Sequence, residues 1–401
     1  MTPKSEPHWV ASQLDLEQLI ADLQGQERVA IDTEFHGERS YIPHLMLVQV
    51  GTEEDIWLVD PLADVALTPL FEFLAQPTPL VIGHALHNDL EIIFLKYGVL
   101  MQGVFDTQVA ASFLGYGLQI GLTSLLRDVA DVRLPKGAQM ADWSRRPLPQ
   151  RQVTYAANDV RYLPAAHHVL ATELARRGRT EWVAEECLPL GAQRRYERNS
   201  KLAYRKVSGY RKLRPLEGGV LVELAAERDR LASECDTVPH FLVSDDVLMT
   251  LARRLPASRD DLNGNRRLNN RNVHRYADVW IDAVKRGRKT PLERPPARPP
   301  MTPGMDAASA LIMLMVNEVA DRESLAPQLL LRRKLVQVAL QHTFTSQEDL
   351  VSIFGLSGWR QELLGDLVWE LLDGRMNVAC ERDEKGMLGV VFRPVHAASA
   401  S

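Results

Sequence analysis

Acidic side chains occur in three short segments, at spacings that suit the binding of divalent metal ions. Asp32 and Glu34 lie in VAIDTEF, Asp89 lies in HALHNDLEIIF, and Asp159 follows Tyr155 by four residues in TYAANDVRYL. Hard cations prefer oxygen ligands, and two of them can stabilise the attacking and the leaving oxygen of a phosphodiester displacement. The three segments together therefore predict metal-assisted phosphodiester hydrolysis.

Two of these segments also have a simpler explanation when each is taken alone. Residues i and i+2 of a strand face the same side, so Asp32 and Glu34 project together, as two solvated carboxylates at a strand end also would. The apolar run 29–31 indicates instead a buried strand, where like charges are costly without cations between them. Tyr155 and Asp159 share one face of a helix. A core tyrosine beside a surface acid would have the same spacing.

Other candidate residues favour structural roles. Asp89 is in the first turn of a predicted helix, where the helix dipole stabilises an acid without any function. His84 and His87 lack the further ligands that a zinc site needs, so we interpret them as structural or peripheral. Asp60 and Asp106 are predicted to be a turn residue and a helix cap. The sequence has no GxxxxGK[ST], GxSxG or strand-linked GxGxxG motif, which argues against nucleotide triphosphatases, serine hydrolases and dinucleotide oxidoreductases.

Strands and helices alternate in the first half of the chain. Ser12 and Asp15 form a predicted capping box at the start of a helix. Strands are predicted at RVAIDTEF, HLMLVQVG, DIWLVD and PLVIGHA. A helix is predicted at HNDLEIIFLKYG, ending at Gly98, and another follows VFD, with Asp106 or Thr107 as its cap. Further helices are predicted at about 122–129 and from Gln150 to about Arg176. This succession predicts an α/β fold with a mixed sheet flanked by helices.

Helical periodicity dominates beyond about residue 190. A basic segment from Arg194 to Arg214 contains nine Lys or Arg residues and one acid, with Tyr196, Tyr204 and Tyr210 between them. A Pro-rich spacer covers 291–304. The predicted division is an α/β domain at 1–190, a basic linker at 191–214, a helical domain at 215–290, the Pro-rich linker at 291–304 and a second helical domain at 305–392.

Composition limits the class of protein. A chain of 401 residues is longer than a single domain with one hydrophobic core usually is, so two or three domains are predicted. The formal net charge of -5 does not argue against a nucleic-acid partner, because local clusters of Lys and Arg attract phosphate. The three cysteines, Cys187, Cys235 and Cys380, form no CxxC pair and suit a reducing compartment. No signal segment or apolar run of ~18 residues is found, so we expect a soluble, cytoplasmic protein.

The acidic segments, taken with their neighbours, resemble the ribonuclease D family, bacterial DEDD 3′→5′ exonucleases with a tyrosine in the third motif. Asp32-Thr33-Glu34-Phe35 is similar to the first motif, Asp89 to the centre of the second, and Tyr155 to Asp159 to the third. The run LPKGAQMADWSRRPL before YAANDVRYL is a longer and more specific match. The resemblance covers about residues 10–180.

The helical half is also similar to that family, which carries helical HRDC domains. Residues 215–288, with VSDDVLMTLARRLPASRDDL and LNNRNVHRYADVWIDAVKRG, resemble the first HRDC domain, and IFGLSGWRQELLG resembles the C-terminal helical domain. The resemblance implies a ribonuclease H-like mixed sheet flanked by helices, followed by two all-α helical-bundle domains of HRDC type.

The resemblance implies a role for each motif residue. Asp32, Glu34, Asp89 and Asp159 would hold two divalent ions, Mg²⁺ or Mn²⁺. Asp32 would bridge both ions, Glu34 and Asp159 would complete one site, and Asp89 would serve the other. Tyr155 would orient the attacking water rather than lose its proton, because an ordinary tyrosine pKa is about 10. The product would be a nucleoside 5′-monophosphate from a 3′ end, with no organic cofactor required.

Substrate binding requires aromatic surfaces for unpaired bases and cations along the backbone. Phe35, Trp143, Arg145 and Arg146 are the candidate contacts, although simple packing is an equal explanation for Trp143. The basic linker and the run Lys285, Arg286, Arg288 and Lys289 would add salt-dependent affinity, or would simply be solvated.

Three functional hypotheses follow. The first is a monomeric exoribonuclease that trims 3′ ends of structured RNA, with transfer-RNA precursors as the substrate class that the family implies. The second is a DNA 3′→5′ exonuclease, because contacts to the 2′-hydroxyl cannot be inferred from motifs. The third is a nucleic-acid-binding adaptor that has lost activity, against which the presence of all four carboxylates and the tyrosine argues.

Overall fold

A computed structural model describes residues 6–135, 141–263, 265–268, 270–293, 298–382, 384 and 386–395 of the chain. Residues 136–140 of the LPKGAQM run and residues 294–297 of the Pro-rich spacer lie outside the described residues. None of the helices in the described ranges combines the length and the apolar character needed to cross a membrane.

The N-terminal region is an α/β structure. It contains β1 (His8–Val10), α1 (Gln13–Asp22), β2 (Arg28–His36), β3 (His44–Gly51), β4 (Ile56–Val59), α2 (Thr68–Leu74), β5 (Leu80–Gly83), α3 (His87–Tyr97), β6 (Val104–Asp106), α4 (Thr107–Ser112), α5 (Leu122–Ala130), α6 (Gln150–Arg161), α7 (Leu163–Arg176) and α8 (Thr180–Cys187). The six strands form one sheet in the order β1-β4-β3-β2-β5-β6. Strands β2, β3 and β4 are antiparallel neighbours, and the remaining pairs are parallel, which confirms the mixed sheet.

Local sequence signals place most of these elements. The Ser12 side chain accepts from the Asp15 backbone N–H, and the Asp15 carboxylate accepts from the Ser12 backbone N–H, which confirms the capping box. Gly98 ends α3 in the left-handed conformation, with φ of 72°. The helix predicted from Gln150 to about Arg176 is instead two helices, α6 and α7. Pro164 lies in the first turn of α7, where its missing N–H is tolerated, and it cannot continue α6.

Helix α6 packs against one face of the sheet. Its apolar residues Ala157 and Val160 share a buried cluster with Ala30 of β2 and Ile82 of β5. Gly51 of β3 permits this close approach, because an added Cβ there would lie 3.1 Å from the side chain of Val160. The α6 side chains that face the sheet therefore contact side chains on one face of β2 and β3.

The middle of the chain is a helical domain preceded by short 3₁₀ turns. The elements are 3₁₀ turns at Leu188–Gly191, Gln193–Arg195, Ser200–Lys206 and Tyr210–Lys212, then α9 (Pro215–Glu234), α10 (Pro239–Leu242), α11 (Asp245–Arg254), a 3₁₀ turn at Asp260–Leu262, α12 (Arg271–Arg275) and α13 (Ala277–Lys289). Trp280 is fully buried in the core of this domain. Gly219 and Gly287 bring α9 and α13 into backbone contact, where any side chain would collide.

The basic segment between the first two domains is packed and not extended. Tyr196 is 2% exposed, donates its hydroxyl to the carbonyl of Leu190 at 2.7 Å and belongs to the N-terminal core. Tyr204 belongs to the core of the helical domain. Tyr196 therefore anchors the segment to the N-terminal core and Tyr204 anchors it to the helical domain, while its Lys and Arg residues are exposed.

The C-terminal region combines helices with a hairpin. It contains α14 (Pro303–Arg322), α15 (Pro327–Leu330), α16 (Arg333–Ala339), α17 (Gln347–Phe354), α18 (Trp359–Leu372), β7 (Met376–Arg382) and β8 (Leu388–Pro394). Strands β7 and β8 pair antiparallel, a feature that the helical prediction for 305–392 did not include. Trp359 stacks on Trp182 of α8 and meets Phe113 edge-on, so this region shares a core with the N-terminal region.

Candidate active site

The sheet and α6 bring three of the predicted acids together. Asp32 and Glu34 lie on β2, and Asp159 lies on α6 above them. One carboxylate oxygen from each lies within 4.8 Å of the other two. All three residues are half-buried, so the cluster is shielded yet remains open to solvent on one side. Strand β2 is irregular between Glu34 and Phe35, where its register with β3 shifts, and such bulges re-aim side chains at strand ends.

Asp89 approaches the same strand from α3. It is 6% exposed and accepts a hydrogen bond on Oδ1 from the Thr33 hydroxyl, the residue between the two acids of β2. Its charge also raises the pKa of Asp32, so the two carboxylates interact. Sequence reasoning did not identify Thr33 as this partner, because alternation along a strand places it on the face opposite Asp32.

The electrostatics of this cluster disfavour four negative charges. Burial raises the pKa of Asp32 well above its usual range, and the charges of Asp159, Asp89 and Glu34 raise it further. Burial followed by the charges of Asp159 and Asp89 raises the pKa of Glu34 to about 8. Burial raises the pKa of Asp159 to about 8, against the opposing effect of a hydrogen bond from Tyr155. Burial likewise raises the pKa of Asp89 to about 6, although the Thr33 hydrogen bond opposes it.

The residues present fit divalent cations. The donor set consists of carboxylate oxygens, which hard cations prefer. Oδ2 of Asp159 is buried and has no hydrogen-bond partner among the described residues, so one strong acceptor is left for a ligand. Positive charge placed between the carboxylates would also offset the repulsion that contributes, after burial, to the raised pKa values of Asp32 and Glu34.

Tyr155 lies one helical turn before Asp159. Its ring packs against that of Trp143 with 5.9 Å between centroids, and its hydroxyl hydrogen bond to Asp159 lowers the pKa of that carboxyl in part. The spacing of four residues therefore puts the two side chains on one helix face, where they hydrogen-bond.

The four candidate substrate contacts differ in what the structure allows. Trp143 is 1% exposed and packs with Met46, Leu47 and Tyr155, so packing explains it and it presents no face to a base. Arg146 donates to Asp60 through Nε at 2.5 Å and Nη2 at 2.6 Å, and also to the backbone carbonyls of Met46 and Trp143.

The guanidinium of Arg146 is therefore hydrogen-bonded within the fold. Phe35 is half-buried against the main core. Arg145 is exposed, and its contact with substrate stays a prediction.

The histidines and remaining acids have structural partners. The ring nitrogens of His84 lie 2.9 Å from the Thr107 hydroxyl and from the carbonyl of Ile120. His87 accepts from Nε of Arg195 at 3.1 Å. Asp106 caps α4 by accepting from Gln108 at 2.8 Å, as predicted, and also accepts from the backbone of the turn before α3.

Asp60 accepts from the Leu62 backbone N–H at 2.9 Å, which confirms the predicted turn, while its carboxylate binds Arg146. The partners of Asp60 and Asp106 across the fold were not predicted, because residues distant in sequence supply them.

Gln49 is a buried residue near the site that sequence reasoning missed. It lies on β3 directly opposite Asp32 and is 0% exposed. A polar residue between two valines inside the strand HLMLVQVG was the available signal.

A cavity of about 680 Å³ lies between the N-terminal region and the helical domain. The 37–43 loop after β2, the basic segment and α9 line it, with Arg195, Arg198 and Lys206 among the lining side chains. Arg198 lies over the ring of Tyr41 at 4.7 Å. The hydroxyl of Tyr41 donates to Asp229 of α9 at 2.9 Å, so the loop that follows the acidic strand is held by the helical domain.

Comparison with known proteins places this architecture in a family. Residues 7–175 match the model of a 3′-5′ exonuclease domain, and residues 217–284 match that of the HRDC domain. Ribonuclease D of Jannaschia sp. (strain CCS1) is 33% identical, over 94% of this chain and 97% of its own. Ribonuclease D of Bartonella henselae is 30% identical, over 90% and 89%.

The crystal structure of Escherichia coli RNase D, an exoribonuclease involved in structured RNA processing, has a TM-score of 0.79 and 28% sequence identity. The matched part covers 92% of this chain and 99% of that one. The resemblance seen in the motifs thus extends over nearly the whole length of both chains, through the sheet, the helical domain and the C-terminal region. This chain belongs to the ribonuclease D family of 3′→5′ exonucleases.

Proposed function

We propose that this chain is a divalent-metal-dependent 3′→5′ exoribonuclease that trims the 3′ ends of structured RNA, including transfer-RNA precursors, and releases nucleoside 5′-monophosphates. The observation that carries the proposal is the half-buried cluster of Asp32, Glu34 and Asp159, with Asp89 beside it, on the sheet of a ribonuclease D relative. Processing of structured RNA by the Escherichia coli relative supports the choice of substrate.

Four carboxylates would hold the metal ions. Asp32, Glu34 and Asp159 form the tight group and would share one ion, while Asp89, together with Asp32, would hold the second. Mg²⁺ and Mn²⁺ both suit an all-oxygen site. When bound, the ions would supply positive charge that stabilises the phosphorane-like transition state of an in-line displacement.

The side chains around the carboxylates would prepare the site. Tyr155 would orient the attacking water, because its hydroxyl is in reach of Asp159 and its ring is held against buried Trp143. Thr33 holds the orientation of Asp89 by its hydrogen bond to Oδ1 of that carboxylate. Each acid therefore arrives at the site in a defined orientation.

Cationic side chains would guide the RNA backbone to the site. Arg145 is exposed on the segment before α6, and Arg195 and Lys206 line the cavity beside the 37–43 loop. Arg286 of the second basic run is engaged with Glu223 and Glu227, so it contributes less free charge than the sequence suggested. Sequence-independent affinity for phosphates should therefore come mainly from the segment around Arg195.

The first test is product release from RNA with an unpaired 3′ end. We expect wild-type protein with Mg²⁺ or Mn²⁺ to release nucleoside 5′-monophosphates progressively, and Asp32→Asn and Asp159→Asn to release none. A matched DNA oligomer run in parallel tests the DNA exonuclease alternative. Absence of release by folded wild-type protein with either metal, together with metal-independent RNA binding, would instead indicate the inactive adaptor.

The domain limits derived from the sequence, the monomeric state and the cytoplasmic location are further parts of this proposal. The separate buried cores of the N-terminal region and the 215–289 helices support the boundary placed within the basic segment. Sedimentation of the full chain at micromolar concentration tests the monomer.

A further inference from the structure

Gln49 has a buried side chain without a hydrogen-bond partner. It lies within β3, its side chain is 0% exposed, and among the residues that the structure describes neither its amide nitrogen nor its amide oxygen has a partner. An unsatisfied buried amide costs a fold about 1–3 kcal/mol. The flanking residues of this strand are apolar, so an apolar side chain would suit the position better if packing alone mattered.

The position of Gln49 in the sheet puts it next to the acidic cluster. It pairs with Asp32 across β2 and β3, and residues directly opposite each other in an antiparallel pair share one face, with Cβ atoms about 4.5–5.5 Å apart. That face is the one covered by α6, because Gly51, two residues along β3, lies against Val160. Gln49 is therefore beside Asp32 and under the helix that carries Asp159.

The same layer contains an acceptor that also lacks a partner. Oδ2 of Asp159 is buried and has no hydrogen-bond partner within the described ranges, whereas the Gln49 amide has two N–H donors. An amide can hydrogen-bond an ionised carboxylate without neutralising its charge. A lysine or arginine would neutralise that charge. Carboxylates that are to bind metal ions must keep their negative charge, so a neutral donor suits this location.

We propose that Gln49 is a positioning residue for the metal-binding carboxylates. Its NH₂ group supplies hydrogen bonds to Asp32 and Asp159 when they are ionised around the metal ions, and it thereby holds their oxygens in the orientation that binds metal. This inference rests on the proposed function, because the orientation matters only if these carboxylates bind metal. Groups that orient metal ligands change metal affinity or activity by about 10–100-fold when removed.

The test separates metal affinity from stability in the full-length protein. Gln49→Met and Gln49→Leu keep the volume but remove the donors. Calorimetric titration with Mn²⁺ gives the dissociation constant, and thermal unfolding in EDTA gives the stability of the metal-free protein. We expect a dissociation constant at least tenfold higher than in wild type, with a melting temperature that is unchanged or raised because an unsatisfied amide is gone.

Ser309→Ala is the matched control. Its hydroxyl is likewise buried and has no partner in the part of the chain that the structure describes, but it lies on α14, outside the acidic cluster. We expect this variant to leave the Mn²⁺ dissociation constant unchanged.

A dissociation constant within twofold of wild type in the Gln49 variants would overturn the proposal. Failure of both variants to fold would also overturn it, because the amide would then serve the fold itself. Metal binding is measured without RNA, so a wild-type protein that binds Mn²⁺ but degrades no RNA would refute the proposed function and still leave the effect of Gln49 measurable.

Discussion

Removing the charge of Asp159 should stabilise the metal-free protein while it abolishes activity. The pKa of this carboxyl is raised from an ordinary value of 3.8 to about 8 by burial. A carboxyl with a raised pKa in the folded state stabilises the fold below its ordinary pKa and loses that contribution as the pH rises through the folded value. At pH 7 the unfolded chain gains from ionising Asp159, whereas the metal-free fold does not.

The size of the effect follows from the gap between pH 7 and 3.8. At 1.36 kcal/mol for each unit between the pH and the ordinary pKa, this carboxyl lowers the free energy of unfolding at pH 7 by at most about 4 kcal/mol. Water that enters the half-open cleft reduces this loss to about 1–3 kcal/mol. Asn keeps the shape and does not titrate, so Asp159→Asn should unfold on the order of 5 °C above wild type in EDTA. The difference should shrink as the pH falls towards 4, because the unfolded chain then also binds a proton at this carboxyl in a large fraction of molecules.

Scanning calorimetry in EDTA at pH 4 and pH 7 measures this difference. Asp64→Asn is the control, because it removes the same charge from an exposed position away from the site. Saturating Mg²⁺ should raise the melting temperature of wild type more than that of Asp159→Asn, since the variant lacks a ligand. A lower melting temperature for Asp159→Asn than for wild type in EDTA at pH 7 would refute the argument, because the ionised carboxylate would then support the metal-free fold.

Three further predictions concern the residues around the site. Tyr155→Phe should lower kcat about 10–100-fold and raise the Mn²⁺ dissociation constant by a smaller factor, since the ring packing remains while the hydroxyl that orients the water and hydrogen-bonds Asp159 is lost; a dissociation constant raised as much as kcat is lowered would contradict a role at the water. Arg146→Ala should destabilise the protein by about 2 kcal/mol in thermal unfolding, with little change in RNA affinity, because its guanidinium binds Asp60 and three backbone carbonyls; a large loss of affinity with unchanged stability would restore it as a substrate contact. Lys206→Ala should reduce the slope of log binding constant against log salt by about 0.7 for single-stranded RNA, and an unchanged slope would exclude it from the phosphate path.

Local features of the molecule could be predicted from the sequence because they depend on neighbouring residues. The Ser12 capping box, the glycine end of α3 at Gly98 and the Asp106 cap all involve groups within four residues of one another. The strand that carries Asp32 and Glu34 was recognised from its period of two and its apolar flank.

The partners of individual side chains could not be predicted in the same way. Arg146 and Trp143 looked like RNA contacts because a basic residue beside an aromatic residue suits a nucleic acid. In the structure Arg146 reaches Asp60, 86 residues earlier, and Trp143 is buried against Met46 and Leu47. Nothing in the local sequence indicates which of the two neighbouring arginines, Arg145 or Arg146, a distant carboxylate will bind.

The acidic site itself lies between these two cases. The sequence by itself determined which residue types would meet, since a strand, a helix start and one helix face each present their acids in a set direction. Only the tertiary structure decided that Asp32, Glu34 and Asp159 form the tight group and that Thr33 holds Asp89. It also placed Gln49, whose amide has no hydrogen-bond partner among the described residues, opposite Asp32. The periodicity of a strand or helix acts over a few residues, whereas distances between elements depend on the packing of the whole core.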